Sequence, residues 1–277
     1  MDDGLTPDQV ATFERDGAVL VKGAFPAVLA ERGRRLLWRD LQARHPGLDP
    51  ADRSTWTDPV LRLDWSAEPP FVAAGNTTRL HTAYDQLAGE GRWSAPFGLG
   101  SWPVRFPQPD RDRDPGDAGW HIEGGFAPDD PARAAEGWWT NLACRGRALL
   151  MLFLFSDVGP DDAPTRVRLG SHRDVPPLLV DAGDDGRSVM DVSPDAEAAS
   201  RHREVALATG RAGDVWLVHP FLVHAAQPHR GGPDAPARFM AQPPLSATGL
   251  LDLSPAAGRA TPPTPVERPV LEALGRG

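Results

Sequence analysis

The stretch Trp120-His121-Ile122-Glu123-Gly124-Gly125 carries the most structural information in this sequence, together with His224 about a hundred residues later. On an extended segment, residues i and i+2 point to the same side, so His121 and Glu123 can reach one metal ion together. Two imidazoles and one carboxylate cover one face of a metal ion and leave other positions open for reactants. The stretch therefore predicts a strand that carries two metal ligands.

A histidine followed two residues later by an acid occurs three times, at 121–123, 172–174 and 202–204. The last lies in a polar stretch that is typical of a solvated surface, and on a helix residues i and i+2 do not share a face. His172 and Asp174 follow a strand-like run, but few strand-like segments separate Asp174 from His224, and one long loop takes up much of that length. Four candidate strands lie between Glu123 and His224, so the sequence favours the first pair.

Three histidines are candidates for the distal ligand: His219, His224 and His229. His219 precedes a proline and can simply end a strand. The turn-like sequence around His229, at 228–232, predicts an exposed loop. His224 follows the apolar run at 221–223, which suits a buried ligand, so the residues favour His224 and leave His219 open.

Composition limits the classes of partner. The chain has 277 residues, a net charge of -9 and one cysteine, Cys144. The negative charge argues against nucleic-acid and anionic-membrane partners, and a lone cysteine excludes an internal disulfide framework and fits a reducing compartment. The N-terminus lacks a basic and then apolar leader, and the longest apolar run, at 148–155, is too short for a bilayer. We expect a cytoplasmic protein.

The N-terminal third is predicted to be helical. Thr6 can cap a helix that begins at Pro7, Gln9 completes a capping box, and Gly17 suits the end. A strand is expected at Ala18–Val21. Further helices are expected at about 26–43 and 76–87, and the polar segment 110–117 is expected to be a loop.

After Gly119, short apolar runs separated by turn residues predict a β-sandwich or barrel. The predicted strands are 138–142, 147–155, 165–169, 205–208, 214–218 and 238–242. The run 149–155 lacks alternation, which indicates a strand covered on both faces. Segment 181–203 is interpreted as a surface excursion between strands, and 254–269 as an extended surface tail. We expect one domain over 1–277, with a helical part and loops at 1–115, a barrel core at 116–250 and a Pro-rich tail at 251–277.

Several pieces of the sequence, in order and spacing, resemble one known family, the phytanoyl-CoA dioxygenases among the Fe(II)/2-oxoglutarate oxygenases. The pieces are Leu5–Val10 with Phe13–Gly17, Trp120–Gly124, Leu154–Val158, Thr165–Val167, Gly170–His172, Gly213–Trp216 and His219–Ala226. Together they cover most of the chain. The resemblance implies a mainly β fold with N-terminal helices, built on a double-stranded β-helix, that is, a jelly-roll or cupin-like barrel.

The resemblance also implies roles for individual residues. In this family the second histidine of a His-Pro-x-x-x-His run binds iron, and here that residue is His224. A basic residue downstream binds the distal carboxylate of 2-oxoglutarate; Arg238 matches it, whereas Arg230 lies in the intervening turn. An aromatic residue after the His-x-acid strand lines the cosubstrate pocket, and Trp139 is at a suitable distance, with Trp138 as its neighbour and alternative.

The function implied is an Fe(II)- and 2-oxoglutarate-dependent dioxygenase that uses O2 to oxidise a small organic substrate, with His121, Glu123 and His224 as metal ligands. The family usually has Asp where this chain has Glu123, and a carboxylate-free halogenase site is excluded because the position is neither Ala nor Gly. Two alternatives stay open: a non-catalytic barrel protein, and a metal-dependent barrel enzyme, such as an isomerase or hydrolase, that does not use 2-oxoglutarate. Arg238 discriminates in part, since only the oxygenase needs a buried cation beside the cosubstrate. Substrate identity and oligomeric state are left open.

Overall fold

The computed structural model describes residues 4–232, 234–255, 259 and 261–277. Its helices are α1 (Pro7–Asp16), α2 (Ala27–Arg44), α3 (Pro69–Gly75), α4 (Thr78–Ala88), α5 (Pro131–Ala134), α6 (Pro176–Leu179), α7 (Val189–Ala199) and α8 (Glu267–Ala273). Its strands are β1 (Ala18–Val21), β2 (Val60–Leu63), β3 (Trp102–Arg105), β4 (Trp139–Thr140), β5 (Leu149–Leu154), β6 (Thr165–Arg168), β7 (Arg187–Ser188), β8 (Val205–Ala208), β9 (Val215–Val218), β10 (His224–Ala225), β11 (Met240–Ala241) and β12 (Pro244–Leu245). Within these described ranges, no helix is both long enough and apolar enough to cross a bilayer.

Helix α1 forms as its sequence predicts. The Thr6 hydroxyl accepts a hydrogen bond from the Gln9 amide, and the Gln9 side chain accepts one from the Thr6 amide, which completes the capping box. Gly17 ends the helix in the left-handed conformation, with φ of 81°. A β-carbon at Gly17 would lie 2.5 Å from Nδ1 of His172 and 2.6 Å from Leu222. Backbone conformation and close packing therefore both require glycine at this position.

Two antiparallel sheets form the barrel. The first has the order β1-β9-β5-β11, with β12 also paired to β5. A bridge between Arg105 and Arg238 connects the separate two-stranded β2-β3 sheet to its edge. The second sheet has the order β10-β6-β8, and His121 pairs with His224 at its edge. This arrangement confirms the predicted double-stranded β-helix with N-terminal helices.

Strand β5 is buried on both faces, as its unbroken apolar sequence predicts. Leu149, Met151 and Phe153 lie in the outer cluster, where the sheet packs against apolar residues of α2, α3 and α4. The opposite face belongs to the inner cluster of the barrel, whose members include Leu150, Leu152, Leu154, Val167, Val218 and Met240. Burying one Leu or Phe side chain contributes roughly 1.5–3 kcal/mol to the free energy of folding, as an upper estimate. Because β5 has such side chains on both faces, both clusters stabilise the sheet.

The prediction for segment 181–203 is wrong in its middle, where α7 forms. Ser188 caps this helix by accepting a hydrogen bond from the amide of Met190. Val192 and Ala196, one helical turn apart, are fully buried in a third cluster that contains Ile122. Only these two apolar residues of α7 belong to the cluster, which is too short a stripe for the sequence pattern to indicate a helix. The helix covers the outer side of the strand that carries His121 and Glu123.

The extended surface tail predicted for 254–269 is also wrong at its end, because α8 begins at Glu267 and its apolar residues are buried. Glu267 is itself fully buried, where it pairs with Arg92 at 2.7 Å and with Arg259 at 2.6 Å. Residues 256–258 and 260 of this segment lie outside the described residues. The predicted strands at 138–142 and 238–242 shorten to β4 and β11, whereas β1 and β8 have the predicted bounds.

Candidate metal centre

Backbone pairing brings His121 and His224 together. The two residues lie directly opposite each other and exchange both backbone hydrogen bonds, each 2.9 Å long. Directly opposed residues of an antiparallel pair point to the same face. On its other side His224 pairs with Val167, a member of the inner cluster, so this face is the barrel interior. Ile122 points outward instead, toward α7.

Glu123 shares the interior face with the two histidines. One ligand atom from each of His121, Glu123 and His224 lies within 4.8 Å of the others. Nε2 of His224 is 3.4 Å from a carboxylate oxygen of Glu123, and the two imidazole centroids are 4.4 Å apart. The structure thus brings together the three residues that the sequence selects as metal ligands.

Hydrogen bonds orient both imidazoles. Nδ1 of His121 donates to the carbonyl of Gly119, and Nδ1 of His224 donates to the carbonyl of Leu222, each at 2.9 Å. A carbonyl can only accept, so the proton of each neutral ring is on Nδ1 and Nε2 has a free lone pair. Burial and the neighbouring His224 lower the pKa of His121 below its ordinary value. Both effects favour the neutral imidazole, which is the form that binds metals.

Arg147 pairs with the carboxylate of Glu123. Its Nη2 is 3.3 Å from one oxygen of Glu123, and its Nε donates to the carbonyl of Gly124 at 2.9 Å. Burial by itself would raise the pKa of Glu123, but the Arg147 guanidinium outweighs it and lowers this pKa below its ordinary value. The carboxylate is therefore ionised at neutral pH. Sequence reasoning missed Arg147, although an arginine that opens an otherwise apolar strand is an available signal.

The rival His-x-acid motifs do not form comparable clusters. His172 is fully buried in a 3-10 turn at Ser171–Arg173, where Nε2 donates to the carbonyl of Glu14. The carboxylate of Asp174 forms an ion pair with Arg203 at 2.7 Å. The motif at 202–204 lies on the surface, with both His202 and Glu204 exposed.

The other candidates for the distal histidine have backbone partners. Nε2 of His219 donates to the carbonyl of Val266 at 3.0 Å, and this histidine is fully buried. His229 is only 4% exposed, so the expectation of an exposed loop is wrong at this residue. Its Nε2 donates to the carbonyl of Pro236, because the loop after β10 folds back on itself.

The structure places Arg238 in the interior of the barrel and Arg230 at its surface. Arg238 is 2% exposed and lies two residues before Met240, on the same side of the chain as the inner cluster. Its Nη2 donates to the carbonyl of Pro103 at 2.7 Å, and its Nη1 donates to that of Ala163 at 3.1 Å. Burial, and next the neighbouring Arg105, lower its pKa. The side chain of Arg230 is 41% exposed and pairs with a surface aspartate.

The two neighbouring tryptophans differ in burial. Trp139 is 7% exposed, and its indole N–H donates to the carbonyl of Arg133 at 3.1 Å. The Arg133 guanidinium also lies over its ring, 4.2 Å from the centroid. Trp138 is 64% exposed. Trp139 is thus buried against α5, whereas Trp138 lies at the surface.

Comparison with known proteins gives similarity in structure alone. The sequence matches no model of a protein family and no curated protein. HygX from Streptomyces hygroscopicus, solved with nickel and 2-oxoglutarate, is 20% identical at a TM-score of 0.53, over 86% of this chain and 85% of HygX. EctD from S. alaskensis, solved with 2-oxoglutarate and 5-hydroxyectoine, is 19% identical at a TM-score of 0.52, over 87% of this chain and 76% of EctD. SnoN, a non-heme alpha ketoglutarate dependent epimerase from nogalamycin biosynthesis, is 18% identical at a TM-score of 0.50, over 85% of this chain and 80% of SnoN. This chain has the fold of these proteins.

Proposed function

We propose that this chain is an Fe(II)- and 2-oxoglutarate-dependent dioxygenase that hydroxylates or otherwise oxidises a small organic substrate. The observation that carries the proposal is the convergence of His121, Glu123 and His224 on the barrel interior, with both Nε2 atoms free. The similar HygX structures contain iron, or nickel with 2-oxoglutarate, which supports the same cofactors here.

The three side chains fit a ferrous ion chemically. Two neutral imidazoles and one ionised carboxylate are the donors that non-haem iron oxygenases use, and they leave positions for a chelating cosubstrate and O2. When bound, iron with 2-oxoglutarate and O2 supplies the oxidation of the substrate, and 2-oxoglutarate is converted to succinate and CO2. The backbone carbonyls of Gly119 and Leu222 hold the two rings in the binding tautomer.

Other residues of the interior bind and shield the cosubstrate in this proposal. Arg238 pairs with the distal carboxylate of 2-oxoglutarate, where a guanidinium gives directional, charge-assisted hydrogen bonds. Trp139 lines the cosubstrate pocket. The inner cluster keeps this end of the barrel apolar and limits the access of water.

We also propose that the chain is a member of the phytanoyl-CoA dioxygenase family, on the order and spacing of the motifs from Leu5 to Ala226. Its substrate is a small molecule. One HygX structure of the same fold has hygromycin B bound together with nickel and 2-oxoglutarate, which supports a substrate of that size class. CoA thioesters are not required by the family resemblance.

The proposal is tested by adding Fe(II) and 2-oxoglutarate to the protein without oxygen. A weak visible charge-transfer band is expected from the iron chelate, and it should be absent when either component is omitted. Loss of a buried bidentate guanidinium–carboxylate pair costs a few kcal/mol of binding free energy. Each tenfold change in the dissociation constant corresponds to about 1.4 kcal/mol. Arg238→Ala should therefore raise the 2-oxoglutarate concentration at half-saturation by roughly two orders of magnitude.

Arg230→Ala is the matched control, because this arginine is on the same loop but exposed at the surface. Its titration should equal that of the wild type. A wild-type protein that binds Fe(II) but shows no 2-oxoglutarate chelate would contradict the proposal and favour a metal-binding barrel protein of another function.

A further inference from the structure

Arg105 is the nearest cross-strand neighbour of Arg238. The two residues exchange both backbone hydrogen bonds, at 3.1 and 2.8 Å, which makes them a directly opposed antiparallel pair. Their side chains therefore emerge on one face. On the strand of Arg105, Val104 belongs to the outer cluster, so Arg105 faces the barrel interior as Arg238 does.

Both guanidiniums are buried and only partly paired. Arg105 is 3% exposed and Arg238 is 2% exposed. Nη1 of Arg105 and Nε of Arg238 have no hydrogen-bond partner in the part of the chain that the structure describes. A buried donor without an acceptor is costly, and two like charges held side by side add to that cost. The pair thus offers free donors and positive charge to an anion.

Asp117 holds Arg105 in place but does not neutralise the pair. One carboxylate oxygen of Asp117 is 2.7 Å from Nη2 of Arg105, and the same oxygen also binds Arg62, whose side chain is 54% exposed. The cluster therefore contains three guanidiniums and one carboxylate. Arg105 and Arg238 face the barrel interior, as His121 and His224 do, so the arginine pair and the metal centre lie on the same inner side of the barrel wall.

We infer that Arg105 is a second guanidinium for the distal carboxylate of 2-oxoglutarate, placed beside Arg238 by strand pairing and held by Asp117. This inference rests on the proposed function, which assigns the carboxylate to Arg238 alone. A carboxylate has two oxygens and about four acceptor sites, enough for donors from both arginines. The resulting subsite selects a 2-oxo acid with a distal negative charge.

The test is an anaerobic titration of the Fe(II)-loaded full chain with 2-oxoglutarate and, separately, with 2-oxopentanoate, which lacks the distal carboxylate. Arg105→Met should raise the dissociation constant for 2-oxoglutarate by at least tenfold and leave that for 2-oxopentanoate within about twofold. Arg238→Met should behave in the same way with a larger factor. Arg230→Met, which changes an arginine whose side chain is 41% exposed and which pairs with Asp112 outside this cluster, is the matched control and should change neither constant.

The outcomes separate the inference from the proposed function. Absence of any 2-oxoglutarate complex in the wild type contradicts the function itself. A wild-type complex that depends on Arg238 but is unchanged in Arg105→Met overturns the inference alone, as does equal weakening of both oxo acids, which indicates a structural role. If Arg105→Met does not fold, Arg105→Gln decides: glutamine is polar but uncharged, so an unchanged constant for 2-oxoglutarate also overturns the inference.

Discussion

In the part of the chain that the structure describes, two pairs of histidines have their rings in contact, and the pairs differ in the hydrogen bonds of their ring nitrogens. His121 and His224, the metal-facing pair, have ring centroids 4.4 Å apart; His172 and His219, the closed pair, are 4.8 Å apart. Each pair combines a His-x-acid motif with one histidine of the run at 219–224. The two pairs therefore share the same local residue pattern.

Hydrogen bonding separates them. In the metal-facing pair both Nδ1 atoms are bonded and both Nε2 atoms are free beside Glu123. In the closed pair both Nε2 atoms donate to backbone carbonyls, and Nδ1 of His219 accepts a bond from the Phe221 amide. Its acid, Asp174, is held by an arginine. The lesson is that the partner of one ring nitrogen decides whether the other can bind a metal.

The largest expected effect breaks the metal-facing pair. His121→Ala or His224→Ala should reduce Fe(II) affinity by more than about a hundredfold, since even partners outside the ligand shell typically contribute 10- to 100-fold. His172→Ala should keep wild-type iron stoichiometry in its folded fraction and instead lower stability by about 2–5 kcal/mol, as expected for truncation of a tightly packed core side chain. Iron titration and urea unfolding measure the two effects. Loss of iron in His172→Ala with retention in His121→Ala would reverse the assignment.

A smaller effect concerns the acid response of the closed pair. Burial lowers the pKa of both histidines, that of His219 from 6.5 to about 4. Below pH 6.5 the His219 side chain binds a proton in the unfolded chain, whereas in the folded chain it binds one only near pH 4. The free energy of unfolding therefore falls as the pH decreases from 6.5 to about 4. For His219 this corresponds to a loss of about 2 kcal/mol between pH 6.5 and pH 5, at about 1.4 kcal/mol per pH unit.

His219→Gln should remove that contribution. In metal-free protein, its unfolding free energy should change less between pH 7 and pH 5 than that of the wild type, by about 2 kcal/mol, whatever its stability at pH 7. Urea unfolding at both pH values is the measurement. An equal pH dependence in the variant and the wild type would mean that His219 does not titrate in this window and that its burial is not what distinguishes the closed pair.

The smallest effect changes the carboxylate of the metal centre. Glu123→Asp should retain Fe(II) within about tenfold, because the charge remains and the shorter side chain only weakens the contacts to Arg147 and His224. Glu123→Gln, of nearly the same size but uncharged, should lose much more affinity. If the Asp variant loses iron as completely as the Gln variant, the centre requires the length of glutamate as well as its charge.

Local signals predicted much of the fold. The cap at Thr6, the stop at Gly17 and the bounds of β1 and β8 all follow from interactions within a few residues. The continuous burial of β5 follows from its composition. In the candidate centre, the placement of His121 and Glu123 on one face follows from the repeat of an extended strand.

Tertiary structure decided the rest, because the contacts concerned join residues far apart in the chain. The residues alone left His224 and His219 open; the structure pairs the backbone of His224 with that of His121 and turns Nε2 of His219 toward Val266. Nothing within a few residues of Arg147 or Arg105 indicates that the first meets Glu123 and the second lies beside Arg238. Strand periodicity selects a face, whereas strand pairing across a hundred residues selects the neighbours on that face.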